Sequence, residues 1–222
     1  MSPKSIPQPT LCLVTDRRLC LDIPLVEKVA LAIDSGVNMI HLREKDLPGG
    51  RLLELALGIK ERLGEGTLLI VNERVDVALA CGADGVHLGK DALNPSVARH
   101  IVGKDLLIGQ SVHDIKGGIG AQEHGPDYLM AGAVFATASH PGVNPSGLGF
   151  IKEISSTVRK PCLGIGGIDA SNAAEVIYAG ASGVAVISAI LASDQLEEST
   201  RALRKTIEEA WESHLVSKGK QL

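Results

Sequence analysis

Side chains suited to acid–base and phosphate chemistry alternate in one short segment of the chain, His41-Leu42-Arg43-Glu44-Lys45. Since successive side chains of an extended backbone point to opposite faces, His41, Arg43 and Lys45 share one face. A guanidinium fork beside an ammonium group suits a phosphate or a pyrophosphate. A solvated charged loop is the alternative, because Glu44 and Asp46 add acidic groups. The apolar residues before and after His41 favour a functional role, since charge within an apolar strand requires a reason.

Two glycine-rich turns near the C-terminus are typical of a phosphate site. They read CLGIGGI at residues 162–168 and GVAVIS at residues 183–188. Glycine lets backbone N–H groups approach a ligand closely, and such groups bind phosphate at strand ends and helix N-termini. Either turn alone could be a tight turn without a ligand. Two of them at this spacing match the phosphate-binding turns that follow strands seven and eight of an eight-fold β/α barrel.

Other polar residues also follow short apolar runs. Asn72-Glu73 follows the third run, Ser111 and His113 follow the fifth, and Thr137-Ala138-Ser139-His140 follows the sixth. His140 lies in a loop rich in glycine and proline, which makes it a candidate ligand contact or proton carrier. For His87 and His113 we expect the role of hydrogen-bonded structural histidines.

These candidates require elements that bring strand ends together. Eight short apolar runs alternate with amphipathic stretches at a spacing of roughly 20 to 30 residues, which is typical of βα units. The runs occupy residues 11–15, 39–43, 68–71, 85–88, 106–109, 128–131, 162–165 and 183–186. Helical patterns occupy residues 25–35, 51–63 and 171–179, and glycines at 36, 82, 125 and 180 mark helix ends. We therefore predict a single (β/α)8 TIM barrel, with its site at the C-terminal strand ends.

The domain boundaries follow from the same pattern. Residues 1–10 are predicted to be a flexible segment and residues 11–216 to form the barrel. A final helix from about Leu196 through Trp211 closes the domain, and residues 217–222 are expected to be a frayed tail.

Composition excludes several classes of protein. The chain has 222 residues, of which 45% are hydrophobic and 22% are charged, as in an ordinary globular domain. The net charge of −4 and the aromatic content of 2% argue against a nucleic-acid partner. The four cysteines include no C-x-x-C pair, so we expect reduced, structural thiols. No signal peptide or membrane-spanning segment is recognised, so we expect a cytoplasmic protein without a membrane partner.

Five phrases in chain order resemble the family of thiamine phosphate synthase and its relative TenI. They are LVTD at 13–16, HLREKD at 41–46, VNERVD at 71–76, GADGVHLG at 82–89 and IGGI at 165–168. The resemblance implies a TIM barrel that binds a phosphorylated thiazole. The synthase couples this thiazole to an aminopyrimidine methyl diphosphate, with magnesium, and releases pyrophosphate. TenI relatives include a tautomerase that shifts a proton on the thiazole carboxylate phosphate without a metal.

Departures from the synthase pattern favour the TenI branch. The synthase has glutamine where this chain has His41, and aspartate where it has Glu73. Its second magnesium-binding aspartate aligns with Ala92, and a lysine of the synthase aligns with His140. One fewer carboxylate weakens a site for a hard cation. The tautomerase pattern is not complete either, because its acid–base histidine aligns with Ala133.

The resemblance implies a set of site residues. The sequence favours a tautomerase in which His140 or His41 moves the proton, needing no cofactor. A synthase is the alternative, with Mg²⁺ on Glu73 and Asp91; a non-catalytic phospholigand-binding regulator is the third reading. A homodimer is an expected assembly, since family members often pair. Substrate contacts are expected at Arg43, Lys45, Asn72, Ser111, Thr137, Ser139, Gly166, Gly167, Ile187 and Ser188, of which the last six, from Thr137 onward, match thiazole-phosphate positions.

Overall fold

Eight parallel strands form a closed barrel in which every strand pairs with its sequence neighbours and β8 pairs with β1. The structure is a computed structural model, and it describes residues 5–137, 142 and 144–219. The strands are β1 (Thr10–Val14), β2 (Met39–Leu42), β3 (Leu68–Asn72), β4 (Gly85–Leu88), β5 (Leu107–Val112), β6 (Tyr128–Gly132), β7 (Cys162–Ile165) and β8 (Gly183–Val186). The predicted TIM barrel is confirmed.

Helices follow the strands and cover the outside of the barrel. They are α1 (Leu25–Asp34), α2 (Gly49–Lys60), α3 (Val75–Cys81), α4 (Pro95–Val102), α5 (Ile115–His124), α6 (Gly147–Thr157), α7 (Ala173–Tyr178), α8 (Ser188–Leu191) and α9 (Leu196–Gly219). Gly82 and Gly125 end α3 and α5 in the left-handed conformation, as their positions before β4 and β6 predict.

Alternate residues of each strand contribute to two apolar regions. Outward-facing residues such as Ile40 and Val86 pack against the helices, whereas inward-facing residues such as Met39 and Ile70 fill the barrel. The four cysteines are all free thiols, three of them buried. Burial of apolar surface on both faces of the sheet is the usual source of stability for a parallel barrel.

The N-terminal segment is described from Ser5 onward, and its residues 1–4 lie outside the described residues. Residues 1–10 are predicted to be flexible, yet Ile6 is buried among the inward-facing residues of the barrel. The carbonyl oxygen of Pro9 accepts hydrogen bonds from Asn38 and Arg204, and Thr10 already belongs to β1. From Ser5 onward this segment therefore packs against the bottom of the barrel, because its one large apolar side chain closes the interior there.

The C-terminal helix is longer than expected. It extends from Leu196 to Gly219, three residues beyond the predicted end of the domain at residue 216. Its side chains Leu203 and Ile207 are buried in the outer apolar region, which attaches it to the barrel. Within the described residues, no helix combines the length and hydrophobicity needed to cross a bilayer.

Candidate active site

The loop after β2 is tied to the loop after β1 by a buried carboxylate. Glu44 is 5% exposed, and it accepts hydrogen bonds from the backbone N–H and the guanidinium of Arg17. Asp46 accepts two more from the same guanidinium. The segment around residue 43 is thus not a solvated charge run, because its acidic members are engaged in fixing the loop.

Arg43 is the cation that this arrangement leaves available. Its backbone N–H donates to the hydroxyl of Thr15 at 2.9 Å, and its side chain is half-buried. Among the described residues, no carboxylate forms an ion pair with its guanidinium. An unpaired, partly desolvated guanidinium at the C-terminal end of a barrel strand is suited to bind an anionic ligand.

Glu73 and Lys45 face each other across the ends of β3 and β2. The Lys45 Nζ to Glu73 Oε1 distance is 3.3 Å, and the Glu73 side chain is 34% exposed. Glu73 has a φ of 58°, which is uncommon for a residue other than glycine, and residues held in such conformations cluster at functional sites. Its carboxylate reaches to the end of β4, where a Cβ on Gly89 would lie 2.5 Å from Oε1. Gly89 therefore leaves room for this carboxylate.

His41 lies inside the barrel, below these charged groups. It is 2% exposed, and its Nε2 lies 3.2 Å from Oδ1 of Asn72. Burial lowers its pKa to about 3, the hydrogen bond to Asn72 opposes this shift, and the charges of Arg43 and Lys45 add to it. Within the described part of the chain, Nδ1 has no hydrogen-bond partner. His41 is therefore a neutral side chain at neutral pH.

A second buried histidine lies against His41, with ring centroids 4.7 Å apart. His87 Nε2 is 2.9 Å from the Ser111 hydroxyl oxygen, and Nδ1 is 3.2 Å from the Tyr128 hydroxyl oxygen. The expected role of His87 as a hydrogen-bonded histidine is confirmed. Its link to Tyr128 was not predicted, although period-two alternation places both residues on the inner face of their strands. The only sign of this link in the sequence is that His87 and Tyr128 are each a polar residue within an apolar run.

The glycine turn after β7 packs against the loop after β6. Gly166 and Gly167 have φ angles of 102° and 65°, and a Cβ on Gly166 would lie 2.6 Å from that of Ala133. The backbone N–H of Phe135 donates to the Gly166 carbonyl at 3.0 Å. Among the described residues, no acceptor faces the N–H groups of Gly166 and Gly167. These N–H groups therefore remain available to a ligand, and their role in phosphate binding stays a prediction.

Ile187, Ser188 and Thr137, the remaining expected site residues that the structure describes, follow β8 and β6. Ile187 directly precedes α8, which begins at Ser188. Thr137 is half-buried in the β6–α6 loop, whereas Ser139 and His140 lie outside the described residues. His113 makes a 2.7 Å hydrogen bond from its Nδ1 to the carbonyl of Gly132, as expected of a hydrogen-bonded histidine.

The expected metal ligands are acidic but do not form a closed site. Asp91 is exposed in the β4–α4 loop, two residues after Gly89, while Ala92 packs against the outer apolar region. No group of three histidine, cysteine or acidic side chains able to hold a metal occurs in the part of the chain that is described. Two carboxylates and the oxygens of a bound phosphate group are a usual donor set for Mg²⁺.

Comparison with known proteins assigns the chain to a family. Residues 11–190 match the family model TMP-TENI, described as thiamine monophosphate synthase. The thiamine-phosphate synthase of Roseiflexus sp. (strain RS-1) is 42% identical over 199 residues, covering 89% of this chain and 84% of that protein. The thiamine-phosphate synthase of Methanoculleus marisnigri is 43% identical, covering 89% of this chain and 94% of that protein.

Solved structures agree with this assignment. The thiamine phosphate pyrophosphorylase of Pyrococcus furiosus superposes with a TM-score of 0.84 at 38% identity, covering 90% of this chain and 96% of that one. A 3-hexulose-6-phosphate synthase, at a TM-score of 0.67 and 17% identity, covers 89% of this chain and 99% of that one and shares the barrel fold. The resemblance inferred from the five sequence phrases is thus confirmed at the level of the family: the chain belongs to the thiamine monophosphate synthase (TMP-TENI) family.

Proposed function

We propose that this protein is a thiamine phosphate synthase. It would join a phosphorylated thiazole to an aminopyrimidine methyl diphosphate and release pyrophosphate. The observation that carries the proposal is that relatives named thiamine-phosphate synthase are 42% and 43% identical to this chain over 89% of its length. This reverses the preference for the tautomerase that the sequence departures suggest, because both of these relatives carry the synthase name.

The diphosphate end of the site is formed by Arg43 and Lys45. In the reaction, the bond between the pyrimidine methylene carbon and the diphosphate oxygen breaks, and the thiazole nitrogen forms the new bond to that carbon. The departing pyrophosphate takes the electron pair, so negative charge develops on the oxygen that was bonded to the methylene carbon. Preorganised cations at this point stabilise the transition state more than the ground state. Arg43, which has no carboxylate partner among the described residues, is the group best suited to this role.

The thiazole phosphate is held at the ends of β6, β7 and β8. The N–H groups of Gly166 and Gly167, with Ile187 and Ser188 at the start of α8, supply neutral hydrogen-bond donors. Thr137, and Ser139 beyond the described residues, would add hydroxyl donors. The neutral donors would bind the phosphate of the thiazole, whereas the cations at the end of β2 would bind the more highly charged diphosphate of the pyrimidine.

Beneath the mouth, neutral polar groups suit an uncharged heterocycle. Asn72 is fixed by His41, and Ser111 is fixed by His87. Because burial keeps both histidines neutral, neither repels an aminopyrimidine ring or adds charge beneath it. His41 is therefore proposed to position Asn72 rather than to carry a proton.

Magnesium fits the acidic residues at the ends of β3 and β4. Glu73 and Asp91 would hold it, since both offer oxygen ligands on adjacent strand ends and Glu73 already extends to Gly89. When bound, the ion neutralises charge on the diphosphate. Lys45, now 3.3 Å from Glu73, would then be free to turn toward the diphosphate.

The test is a reaction with both substrates. Purified protein is incubated with thiazole phosphate and the pyrimidine diphosphate, and thiamine phosphate and pyrophosphate are quantified. We expect the two products in equal amounts, and neither when one substrate is omitted. Interconversion of thiazole carboxylate tautomers without any coupling would instead establish the tautomerase, and tight thiazole phosphate binding without either reaction would establish a regulator.

A further inference from the structure

Three polar side chains form a hydrogen-bonded relay inside the barrel, from the bottom of β6 to the top of β5. Tyr128 begins β6 and is fully buried, with its hydroxyl 3.2 Å from His87 Nδ1. His87 Nε2 is 2.9 Å from the hydroxyl oxygen of Ser111, the next-to-last residue of β5. Ser111 is partly exposed, so its hydroxyl is the end of this relay that reaches the mouth of the barrel.

Gly109 leaves the space that this relay of hydrogen-bonded side chains occupies. A Cβ at this position would lie 2.2 Å from Cζ of Tyr128 and 2.5 Å from Nδ1 of His87. Both contacts are shorter than any van der Waals approach, so a side chain here would push the tyrosine and the histidine apart. The absence of a side chain in the middle of a central strand, which costs about 0.5–1 kcal/mol in conformational entropy, indicates that the approach itself is required.

Burial fixes the direction of the hydrogen bonds. It raises the pKa of Tyr128 and lowers that of His87, so the phenol keeps its proton and the imidazole carries only one. Among the described residues, the acceptor within reach of the Tyr128 hydroxyl is Nδ1 of His87. A buried hydroxyl without an acceptor costs about 1–3 kcal/mol. Tyr128 therefore donates to Nδ1, which leaves the imidazole proton on Nε2, directed at the oxygen of Ser111.

We propose that Tyr128 and His87 are positioning residues that turn the Ser111 hydroxyl into a hydrogen-bond donor facing the barrel mouth. Because the Ser111 oxygen accepts from Nε2–H, its own proton points away from His87. No acceptor for that proton occurs among the described residues. The subsite above Ser111 then selects an acceptor atom of the substrate, such as a ring nitrogen, and disfavours a donor. This step rests on the proposed function only for the identity of the substrate.

The imidazole tautomer provides a test that needs no substrate. Long-range ¹H–¹⁵N correlation spectra of the ligand-free protein distinguish Nε2–H from Nδ1–H imidazoles, and a His87→Gln variant identifies the His87 signals. We expect a single Nε2–H tautomer in the unmodified protein. An Nδ1–H tautomer would overturn the proposal whether or not the protein proves to be a synthase.

Removing the phenol hydroxyl tests the cause of this tautomer. In Tyr128→Phe, His87 Nδ1 loses its donor, so we expect the Nδ1–H form to appear. Tyr178→Phe is the matched control, since Tyr178 is the other tyrosine of the chain and is 56% exposed on α7. The control should retain the original spectrum. A Tyr128→Phe spectrum identical to that of the control would overturn the proposal.

Kinetics test the connection to Ser111. If Tyr128 acts through Ser111, Tyr128→Phe lowers kcat/KM for the pyrimidine substrate by up to about tenfold, the equivalent of one hydrogen bond. The double variant Tyr128→Phe/Ser111→Ala should then be no slower than Ser111→Ala alone. Effects that multiply would overturn the positioning role, because a general structural defect is independent of Ser111. If no coupling activity exists, the same comparison is made on the affinity for the pyrimidine diphosphate.

Discussion

Arg43 differs from Arg17, Arg18 and Lys45 in having no carboxylate partner among the described residues, since each of the other three is paired. The pairing of Arg17 with Glu44 and Asp46 explains this difference, since it removes the acidic neighbours that alternate with Arg43 in the sequence. The hydrogen bonds of Arg17 to Glu44 and Asp46 thus leave the Arg43 guanidinium available to an anionic ligand.

Replacing Arg43 tests its role in binding the diphosphate. We expect Arg43→Ala to lower kcat/KM for the pyrimidine diphosphate by about 10- to 150-fold, because a charge-assisted hydrogen bond contributes about 1.5–3 kcal/mol. Arg51→Ala is the control, since Arg51 is an exposed residue of α2 paired with Glu54. Steady-state kinetics of the two variants decide the point: equal values would remove Arg43 from the site.

The buried state of His41 predicts a pH dependence of stability. Its pKa is about 3 in the folded protein and near 6.5 when unfolded, so between these values the unfolded chain binds the extra proton. The free energy of unfolding should therefore fall as the pH decreases below about 6.5, by up to about 1.4 kcal/mol per pH unit from this residue. Above that range His41 contributes no pH dependence.

His41→Gln isolates this contribution. Urea unfolding of both proteins at pH 8, 7, 6 and 5 should give parallel stabilities at the two higher values. Below them, the original protein should lose stability more steeply than the variant. Curves that remain parallel down to pH 5 would mean that His41 is solvated in the folded protein, and would reopen its candidacy as a proton carrier.

Among the elements, the turn after β7 depends on glycine at two consecutive positions, because Gly166 and Gly167 both have positive φ angles. Gly166→Ala introduces a Cβ at a φ of 102° and within 2.6 Å of the Ala133 Cβ. We expect a loss of about 1–3 kcal/mol in stability and a weaker affinity for thiazole phosphate. Calorimetric titration with thiazole phosphate and thermal unfolding measure the two effects.

Gly149→Ala is the matched control for this change. Gly149 lies in α6, where nothing within 4 Å obstructs a Cβ, so alanine should stabilise the protein by about 0.5–1 kcal/mol. It should leave the affinity for thiazole phosphate unchanged. A Gly166→Ala variant that binds thiazole phosphate as tightly as the Gly149→Ala control would mean that the glycine turn does not contact the phosphate.

Strand and helix positions were predictable because they depend on local patterns. Most strands agree with the apolar runs to within one residue, and glycines mark the helix ends as expected. β5 is the exception, since it extends from the predicted end at Gly109 to Val112. Its polar residues Gln110 and Ser111 pair with β4 and β6, and this ladder extends a strand that hydrophobicity would end at Gly109.

The charges and hydrogen bonds of the site were less predictable. The segment 41–45 indicates a phosphate-binding face, but burial of Glu44 against Arg17 depends on residues 27 positions away in the sequence. The left-handed conformation of Glu73 and the contact between His41 and His87 likewise arise only when neighbouring strands meet. The departures from the synthase pattern at His41 and Glu73 favour the tautomerase, whereas similarity along the whole chain favours the synthase.

At the scale of the molecule, the barrel is closed at its bottom by the segment preceding β1. Ile6 is 5% exposed among the inward-facing residues, so Ile6→Ala should lower the free energy of unfolding by about 2–5 kcal/mol. Ile23→Ala removes a side chain that is 39% exposed and should cost much less. Urea unfolding that gives the same small loss for both would support a flexible segment instead.

The most direct test of the central claim is the initial rate of thiamine phosphate formation, measured over a range of magnesium concentrations. The proposed synthase predicts product that depends on magnesium, with Glu73→Gln requiring more of the ion to reach half its maximal rate. Tyr178→Phe should behave as the original protein. If thiamine phosphate does not form at any magnesium concentration, while both substrates bind, the assignment as a synthase is contradicted.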